Sequence, residues 1–193
     1  MLVLASTSAA RRAMFDAAGV PHEAVAPRVD EDAVKAALAH IDGRGLADAL
    51  AELKAIKVSA SRPGDLVLGC DQTCERDDGL LLDKPGERLS EQLRALSGRT
   101  HRLHSAVVAA ENGVPVWRHV ARATLTMRPL SEAFIADYVA REGAAVAGCV
   151  GGYRIEGPGV QLFNRIEGDH FTILGLPLLP LLDWLRVRGV LLS

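Results

Sequence analysis

The sequence of 193 residues is poor in the features that mark secreted, membrane-spanning and nucleic-acid-binding proteins. Its three cysteines, Cys70, Cys74 and Cys149, fit neither a disulfide framework nor a usual zinc pair, so we interpret them as reduced packing residues. No basic tract exceeds two residues and the formal net charge is −2, which argues against long nucleic acid as a partner. Met1–Ser6 lacks the cationic start of a signal peptide, and the apolar stretch Phe171–Leu182 is about half of a membrane span. These absences predict a cytoplasmic protein with no membrane partner.

The sequence is rich in aliphatic residues that can form a hydrophobic core. Hydrophobic residues make up 49% of the chain and aromatic residues only 4%, so alanine, leucine and valine must fill the interior. No linker rich in proline, glycine or serine divides the chain, so we expect a single domain over residues 1–193. The mixture of short apolar runs, hairpin turns and helix-forming stretches predicts an α/β fold with a mixed sheet.

Turn and cap residues set the bounds of the expected elements. Strands or extended runs are predicted at Leu2–Ala5, Val25–Val29, Leu66–Cys70, Leu80–Leu82, His101–Ala110, Val114–Met127 and Val160–Phe163. Helices are predicted at Ala9–Ala18, Asp32–His40, Gly45–Ser59, Ser90–Leu96, Ser131–Arg141 and Leu178–Arg188. Asp78-Gly79 and Asn112-Gly113 predict hairpin turns.

The first candidate site joins the end of the first strand to the start of the first helix. Ser8 is a suitable N-cap, and the unpaired N–H groups and positive dipole end of a helix favour phosphate. Arg11 and Arg12 add guanidinium groups that can bind phosphate in bidentate fashion. Two arginines in a first turn oppose the dipole unless an anion is bound there. A solvated first turn is the alternative interpretation.

Acidic and basic candidates follow later in the chain. Asp71 comes directly after the second buried strand, where ligands of α/β sheets bind, and its carboxylate can hold a divalent ion or accept a proton from water. The pair Asp30-Glu31 can share a metal with Asp71, although all three acids also fit turns or helix caps. Lys54, on a helix, and Lys84, after a strand, are candidate cations that on their own are more often solvated.

A glycine-rich loop is the last candidate, and several common motifs are missing. Gly148–Gly159 contains five glycines in twelve residues, which let a backbone approach a ligand closely or simply turn a corner. The sequence has no Walker A motif, no GxGxxG after a strand, and no GxSxG or HExxH. P-loop, dinucleotide-binding, esterase and zinc-protease classes are thus disfavoured. We interpret His101 and His104 as surface or packing residues.

In this order the motifs resemble the Maf family of nucleoside triphosphate pyrophosphatases over nearly the whole chain. The motifs that carry the resemblance are Leu4-Ala5-Ser6-Thr7-Ser8 with Arg11-Arg12, Val29-Asp30-Glu31, Lys54-Ala55, Gly69-Cys70-Asp71-Gln72, Asp83-Lys84-Pro85, Leu96-Ser97-Gly98 with His101, Gly151-Gly152-Tyr153-Arg154-Ile155-Glu156-Gly157 and Ile173-Leu174-Gly175-Leu176-Pro177. Each motif alone is weak, but together and in register they are specific.

The resemblance implies an elongated two-lobed α/β fold, related to inosine triphosphatase, with a cleft between the lobes. It implies hydrolysis of a nucleoside triphosphate to the monophosphate and pyrophosphate, a divalent cation (Mg²⁺, Mn²⁺ or Co²⁺) and a homodimer. Asp71 matches the position of the proton acceptor. The positions that handle phosphate and metal are matched by Ser8, Arg11, Arg12, Glu31, Lys54 and Lys84.

Three places distinguish the subgroups of the resembled family: the residue after Asp71, the residue before Gly157, and the spacing between Ser8 and Arg11. The two residues in that spacing, Ala9-Ala10, match the number in the 7-methyl-GTP type. Gln72 and Glu156 match the type acting on 7-methyl-GTP, whereas the type acting on dTTP and UTP commonly has threonine and glutamine there. A carboxylate suits 7-methylguanine because the methylated purine is cationic. Ala9-Ala10 stands where the 7-methyl-GTP type usually has proline and tryptophan, and Tyr153 is a candidate replacement for the missing aromatic ring. The alternatives are the dTTP/UTP type and a nucleotide-binding regulator of cell division with little hydrolysis.

Overall fold

The computed structural model describes residues 1–192, which form a mixed sheet of seven strands flanked by helices. The strands are β1 (Leu2–Ala5), β2 (Glu23–Val25), β3 (Leu66–Arg76), β4 (Leu81–Leu82), β5 (Thr100–Glu111), β6 (Val114–Met127) and β7 (Phe163–Glu167). The helices are α1 (Ala9–Ala17), α2 (Glu31–Ala37), α3 (Gly43–Ser59), α4 (Leu89–Leu96), α5 (Glu132–Val146), α6 (His170–Ile173) and α7 (Leu178–Val187). The predicted mixed α/β class is confirmed.

A gap in strand pairing along one side of β3 shapes the site. The sheet order is β2-β1-β3-β5-β6-β7, and β4 also pairs with β3. On the β1 side, parallel pairing ends where Ala5 meets Gly69, and antiparallel pairing with β4 begins only at Cys74. The predicted end of the strand at Cys70 is therefore wrong, because β5 supports β3 as far as Arg76. Asp71 lies inside the strand, in the gap between β1 and β4.

Helix α3 approaches the sheet at a position where only glycine fits. A Cβ atom on Gly69 would lie 2.1 Å from the carbonyl oxygen of Ala51 and 2.4 Å from the amide nitrogen of Ala55. The helix backbone therefore rests almost directly on β3. This close packing brings Lys54, which precedes Ala55 on α3, down to the level of Asp71.

The two largest apolar clusters lie in different parts of the interior. One packs α1 and α7 against β1 and β3 and includes Phe15, Leu68 and Leu181. The other packs α4 and α5 against β5 and β6 and includes Leu93 and Tyr138. Side chains near the unpaired stretch of β3 border a cleft. Residues from the first helix and residues of the glycine-rich loop after α5 both line this cleft.

One predicted strand is a turn in the structure, and both predicted hairpin turns are present. The strand predicted at Val160–Phe163 is wrong, because Pro158–Leu162 forms a 3-10 turn and β7 begins only at Phe163. Proline has no N–H to donate to a strand and is favoured in the first turn of a helix. The hairpin turns at Asp78-Gly79 and Asn112-Gly113 are confirmed by the β3–β4 and β5–β6 pairs.

The three cysteines are free, with Cys70 and Cys74 buried, which agrees with their interpretation as packing residues. Of the helices within residues 1–192, none combines the length and the apolar character needed to cross a membrane.

Candidate active site

The loop that leaves β1 presents a helix N-terminus to the cleft. The Ser8 side chain accepts a hydrogen bond from the Arg11 amide at 3.4 Å, so the predicted N-cap of α1 is confirmed. Ser6 Oγ in turn accepts from the Ser8 amide at 3.2 Å. No acidic residue lies in the first turn to offset the positive end of the helix dipole. Ser6 and Ser8 both line the cleft, at a helix end suited to an anion.

The structure separates the two arginines of α1. Arg11 donates from Nε to the carbonyl oxygen of Gly175 at 2.7 Å and from Nη1 to that of Cys70 at 3.1 Å. The second bond satisfies a carbonyl group in the unpaired stretch of β3 and holds the guanidinium beside Asp71. Arg12 is exposed and does not line the cleft, because successive residues of a helix point about 100° apart.

A buried ionic chain forms the centre of the cleft. Lys54 Nζ lies 2.5 Å from Asp71 Oδ1 and 2.7 Å from Glu31 Oε1. Lys54 is 5% exposed and Asp71 is 7% exposed, so these charges lie in a medium of low polarity where they interact strongly. Glu31, Lys54 and Asp71 are therefore brought together from α2, α3 and β3. Asp30, predicted with Glu31 as an acidic pair, instead caps α2 and does not line the cleft.

The surroundings of Asp71 and Glu31 shift the pKa values of their carboxyl groups in opposite directions. Burial raises the pKa of Asp71, and the charges of Lys54 and Arg11 only partly oppose this. Burial would also raise the pKa of Glu31, but the hydrogen bond and charge of Lys54, with Lys84 and Lys35 nearby, lower it overall. Burial thus makes Asp71 a stronger base than an ordinary aspartate, while Lys54 makes Glu31 a weaker base than an ordinary glutamate.

The remaining predicted residues have different surroundings. Lys84 and Glu156 are exposed side chains on the wall of the cleft. Gln72 also lines the cleft, but its Nε2 donates to Ser105 Oγ at 2.9 Å and to the carbonyl oxygens of Thr172 and Ile173 at 3.1 and 3.0 Å. Of the Gln72 side-chain amide, only the oxygen Oε1 is left to contact a ligand.

Tyr153 anchors the glycine-rich loop to the core. Its hydroxyl lies 2.7 Å from His101 Nε2, and its ring contacts the Phe163 ring edge-on at 4.7 Å between centroids. The residue is 7% exposed, so little of the ring is available for stacking on a base. His101 and His104 are both buried, and their interpretation as packing residues holds while the surface alternative is wrong.

Among the cleft residues that were not singled out as candidates from the sequence, two form an ion pair. Lys35 and Asp83 line the cleft and pair with each other at 2.5 Å. Lys35 stands four residues after Glu31, a spacing that places both on one face of a helix. That spacing was the available signal.

The cleft has a volume of about 1050 Å³, and both cationic and anionic side chains line it. Its cationic and N-terminal groups suit a phosphate-bearing ligand, and its buried carboxylate suits proton transfer. The fold and the site together define a mixed α/β protein with a cleft for an anionic, phosphorylated small molecule.

Comparison with known proteins is consistent with this class. The family model described as Maf-like protein matches residues 1–188, and the chain belongs to this family. A nucleoside triphosphate pyrophosphatase of Sphingopyxis alaskensis is 51% identical, with 98% of each chain covered. One of Hyphomonas neptunium is 54% identical over 98% of this chain and 97% of its own. A 7-methyl-GTP pyrophosphatase of Mesorhizobium japonicum is 50% identical, with 98% and 97% covered.

Proposed function

We propose that this protein hydrolyses a nucleoside triphosphate between its α- and β-phosphates, releasing the monophosphate and pyrophosphate. The observation that carries the proposal is the buried Asp71–Lys54–Glu31 chain, with contacts of 2.5 and 2.7 Å, beside the Arg11 guanidinium. The relatives named as pyrophosphatases support the same reaction.

Binding of the triphosphate requires local positive charge, because the protein as a whole carries a formal net charge of −2. The Ser8 end of α1, Arg11, Lys54 and Lys84 supply that charge within one cleft. Arg12 was predicted to belong to this group, and its exposed position leaves it free to reach a ligand only at the edge of the cleft.

A divalent cation fits this donor set only when it is shared with the substrate. Glu31 and Asp71 converge on a single cationic group, the Lys54 ammonium, so both carboxylates can face one positive centre. Within residues 1–192 no three His, Cys, Asp or Glu side chains form a complete metal cluster. Mg²⁺ is commonly held by one or two carboxylates together with phosphate oxygens. Glu31 and Asp71 would hold the ion, which would neutralise phosphate charge.

The reaction follows from the basicity of Asp71. Its carboxylate accepts a proton from water as the water oxygen bonds to the α-phosphorus and the bond to the bridging oxygen breaks. The pyrophosphate leaves with the electron pair of that bond. Arg11, Lys54 and Lys84 stabilise the negative charge that develops on the phosphate oxygens.

The preferred base is proposed to be a cationic purine such as 7-methylguanine. Glu156 is the exposed carboxylate on the cleft wall, where it can form a charge-assisted hydrogen bond with such a base. Relatives of nearly equal identity, 51% and 50%, are named as general and as 7-methyl-GTP pyrophosphatases, so overall similarity does not decide the base. The dTTP/UTP type is the alternative, and a homodimer stays a prediction.

A product-resolved substrate screen tests the proposal. The purified protein is incubated with Mg²⁺, Mn²⁺ or Co²⁺ and with GTP, 7-methyl-GTP, dTTP or UTP, and the nucleotide products are separated. Monophosphate and pyrophosphate are expected in equal amounts. Asp71→Asn should lower kcat by about 10²- to 10⁴-fold, the usual contribution of a general base. A diphosphate product, or full turnover by Asp71→Asn, would refute the proposal, and binding without turnover would favour the regulator.

A further inference from the structure

Helix α2 borders the cleft without being fixed by a hydrophobic core. None of its residues, Glu31–Ala37, is buried. Polar contacts tie it to the rest of the protein. Lys54 contacts Glu31 at its first turn, and just before the helix Lys57 donates to the carbonyl oxygen of Arg28. An element with so few apolar contacts depends on such ties for its position.

The second tie on the cleft-facing side is an ion pair that joins α2 to the segment after β4. Lys35 Nζ lies 2.5 Å from Asp83 Oδ1, and the two residues are 48 positions apart. Lys35 shares a helix face with Glu31, and Asp83 is the neighbour of Lys84. Each partner is thus adjacent to a residue of the proposed site.

We infer that the Lys35–Asp83 ion pair positions α2 for the proposed reaction, holding Glu31 on the cleft wall beside Lys54 and Lys84. The inference rests on the proposed function only for its catalytic consequence. The groups that face Lys35 are Asp83 from the segment after β4 and Glu31 and Asp32 from its own helix. Among residues 1–192, Asp83 is therefore the only acidic partner that ties Lys35 to another element.

Because the Lys35–Asp83 pair is exposed, it can position α2 without adding much to the stability of the whole protein. The side chains of Lys35 and Asp83 are 31% and 66% exposed. Exposed pairs contribute little to unfolding free energy. Loss of the pair should therefore change the unfolding transition little, while helix α2 opens more often.

Two readouts on the full-length protein test the inference. Asp83→Asn and Lys35→Met should lower kcat/KM by about fivefold, the factor that corresponds to the upper range for an exposed ion pair. The cation concentration that gives half-maximal rate should rise, because Glu31 is less well held. Amide hydrogen exchange of residues 31–37 should become faster. The charge-reversed variant Lys35→Asp/Asp83→Lys should recover slow exchange relative to both single variants.

The matched control removes a similar ion pair away from the cleft. Arg94 and Glu132 join α4 to α5 at 2.7 Å with side chains 50% and 70% exposed, and neither lines the cleft. Glu132→Gln should leave kcat/KM and the exchange of residues 31–37 unchanged. Unchanged exchange in Asp83→Asn, or equal loss of activity in Glu132→Gln, would overturn the inference. If exchange responds as expected but the wild type releases no pyrophosphate, the proposed function fails while the tie on α2 stands.

Discussion

Replacing Gly69 by alanine should damage stability and activity together, because this glycine sets the distance between α3 and β3. The new Cβ would lie 2.1 Å from the Ala51 carbonyl oxygen, whereas ordinary contact begins near 3.4 Å, so the helix must retreat by about 1 Å. Overpacking of this kind costs about 1–3 kcal/mol. The obstructing atoms belong to the helix backbone, which cannot rotate away, so we expect the upper part of this range.

The same retreat carries Lys54 away from Asp71, which it contacts at 2.5 Å. A misplacement of about 1 Å in a catalytic site can lower the rate about 10²-fold. Urea unfolding gives the stability change, and release of pyrophosphate from the preferred triphosphate gives the activity change. Both should fall in Gly69→Ala.

Gly143→Ala is the matched control, since Gly143 is a helical glycine in α5 whose added Cβ would meet Val139 at 3.6 Å. It should gain about 0.5–1 kcal/mol of stability, as a glycine-to-alanine change in a helix interior does, with unchanged activity. Wild-type stability in Gly69→Ala would refute the packing argument. Lower stability with full activity would refute the dependence of Lys54 on that packing.

The other predictions concern protonation and base choice. Lys54→Met should lower kcat and should move the acidic side of the kcat–pH profile to higher pH. The reason is that the lysine charge opposes the effect of burial, which raises the pKa of Asp71. An acidic side that does not move would contradict this. Burial lowers the pKa of His101 to about 4 from 6.5, so the unfolded chain binds the extra proton between these values and stability should rise with pH there, by at most about 3 kcal/mol. Urea unfolding from pH 4 to 7 should show this rise in the wild type and a weaker one in His101→Gln; equal slopes would assign the effect to other groups. Glu156→Gln should lower the preference for 7-methyl-GTP over GTP about tenfold, the loss expected for a charge-assisted hydrogen bond, and an unchanged kcat/KM ratio would remove Glu156 as the base reader.

Local sequence signals predicted most elements because their causes are local. Ser8 caps α1 through its own side chain, and the Asn112-Gly113 turn joins β5 to β6 as its residue types require. The helix predicted at Asp32–His40 was placed one residue late at its start, since Asp30 caps α2 by accepting from the Ala33 amide. Its end was placed three residues late, as the structure ends α2 at Ala37.

The sequence by itself determined the mixed α/β class and the set of charged candidates around Asp71. Strand patterns, caps and short motifs depend on residues that are close together in the chain, so they can be recognised without the structure. Tertiary structure decided which candidates meet. Pairing with β5 extends β3 past Asp71, and the close contact at Gly69 brings Lys54 to Asp71. Hydrogen bonds to the carbonyl oxygens of Cys70 and Gly175 hold Arg11 in the cleft. These outcomes depend on contacts between residues far apart in the chain, whose geometry no local pattern specifies.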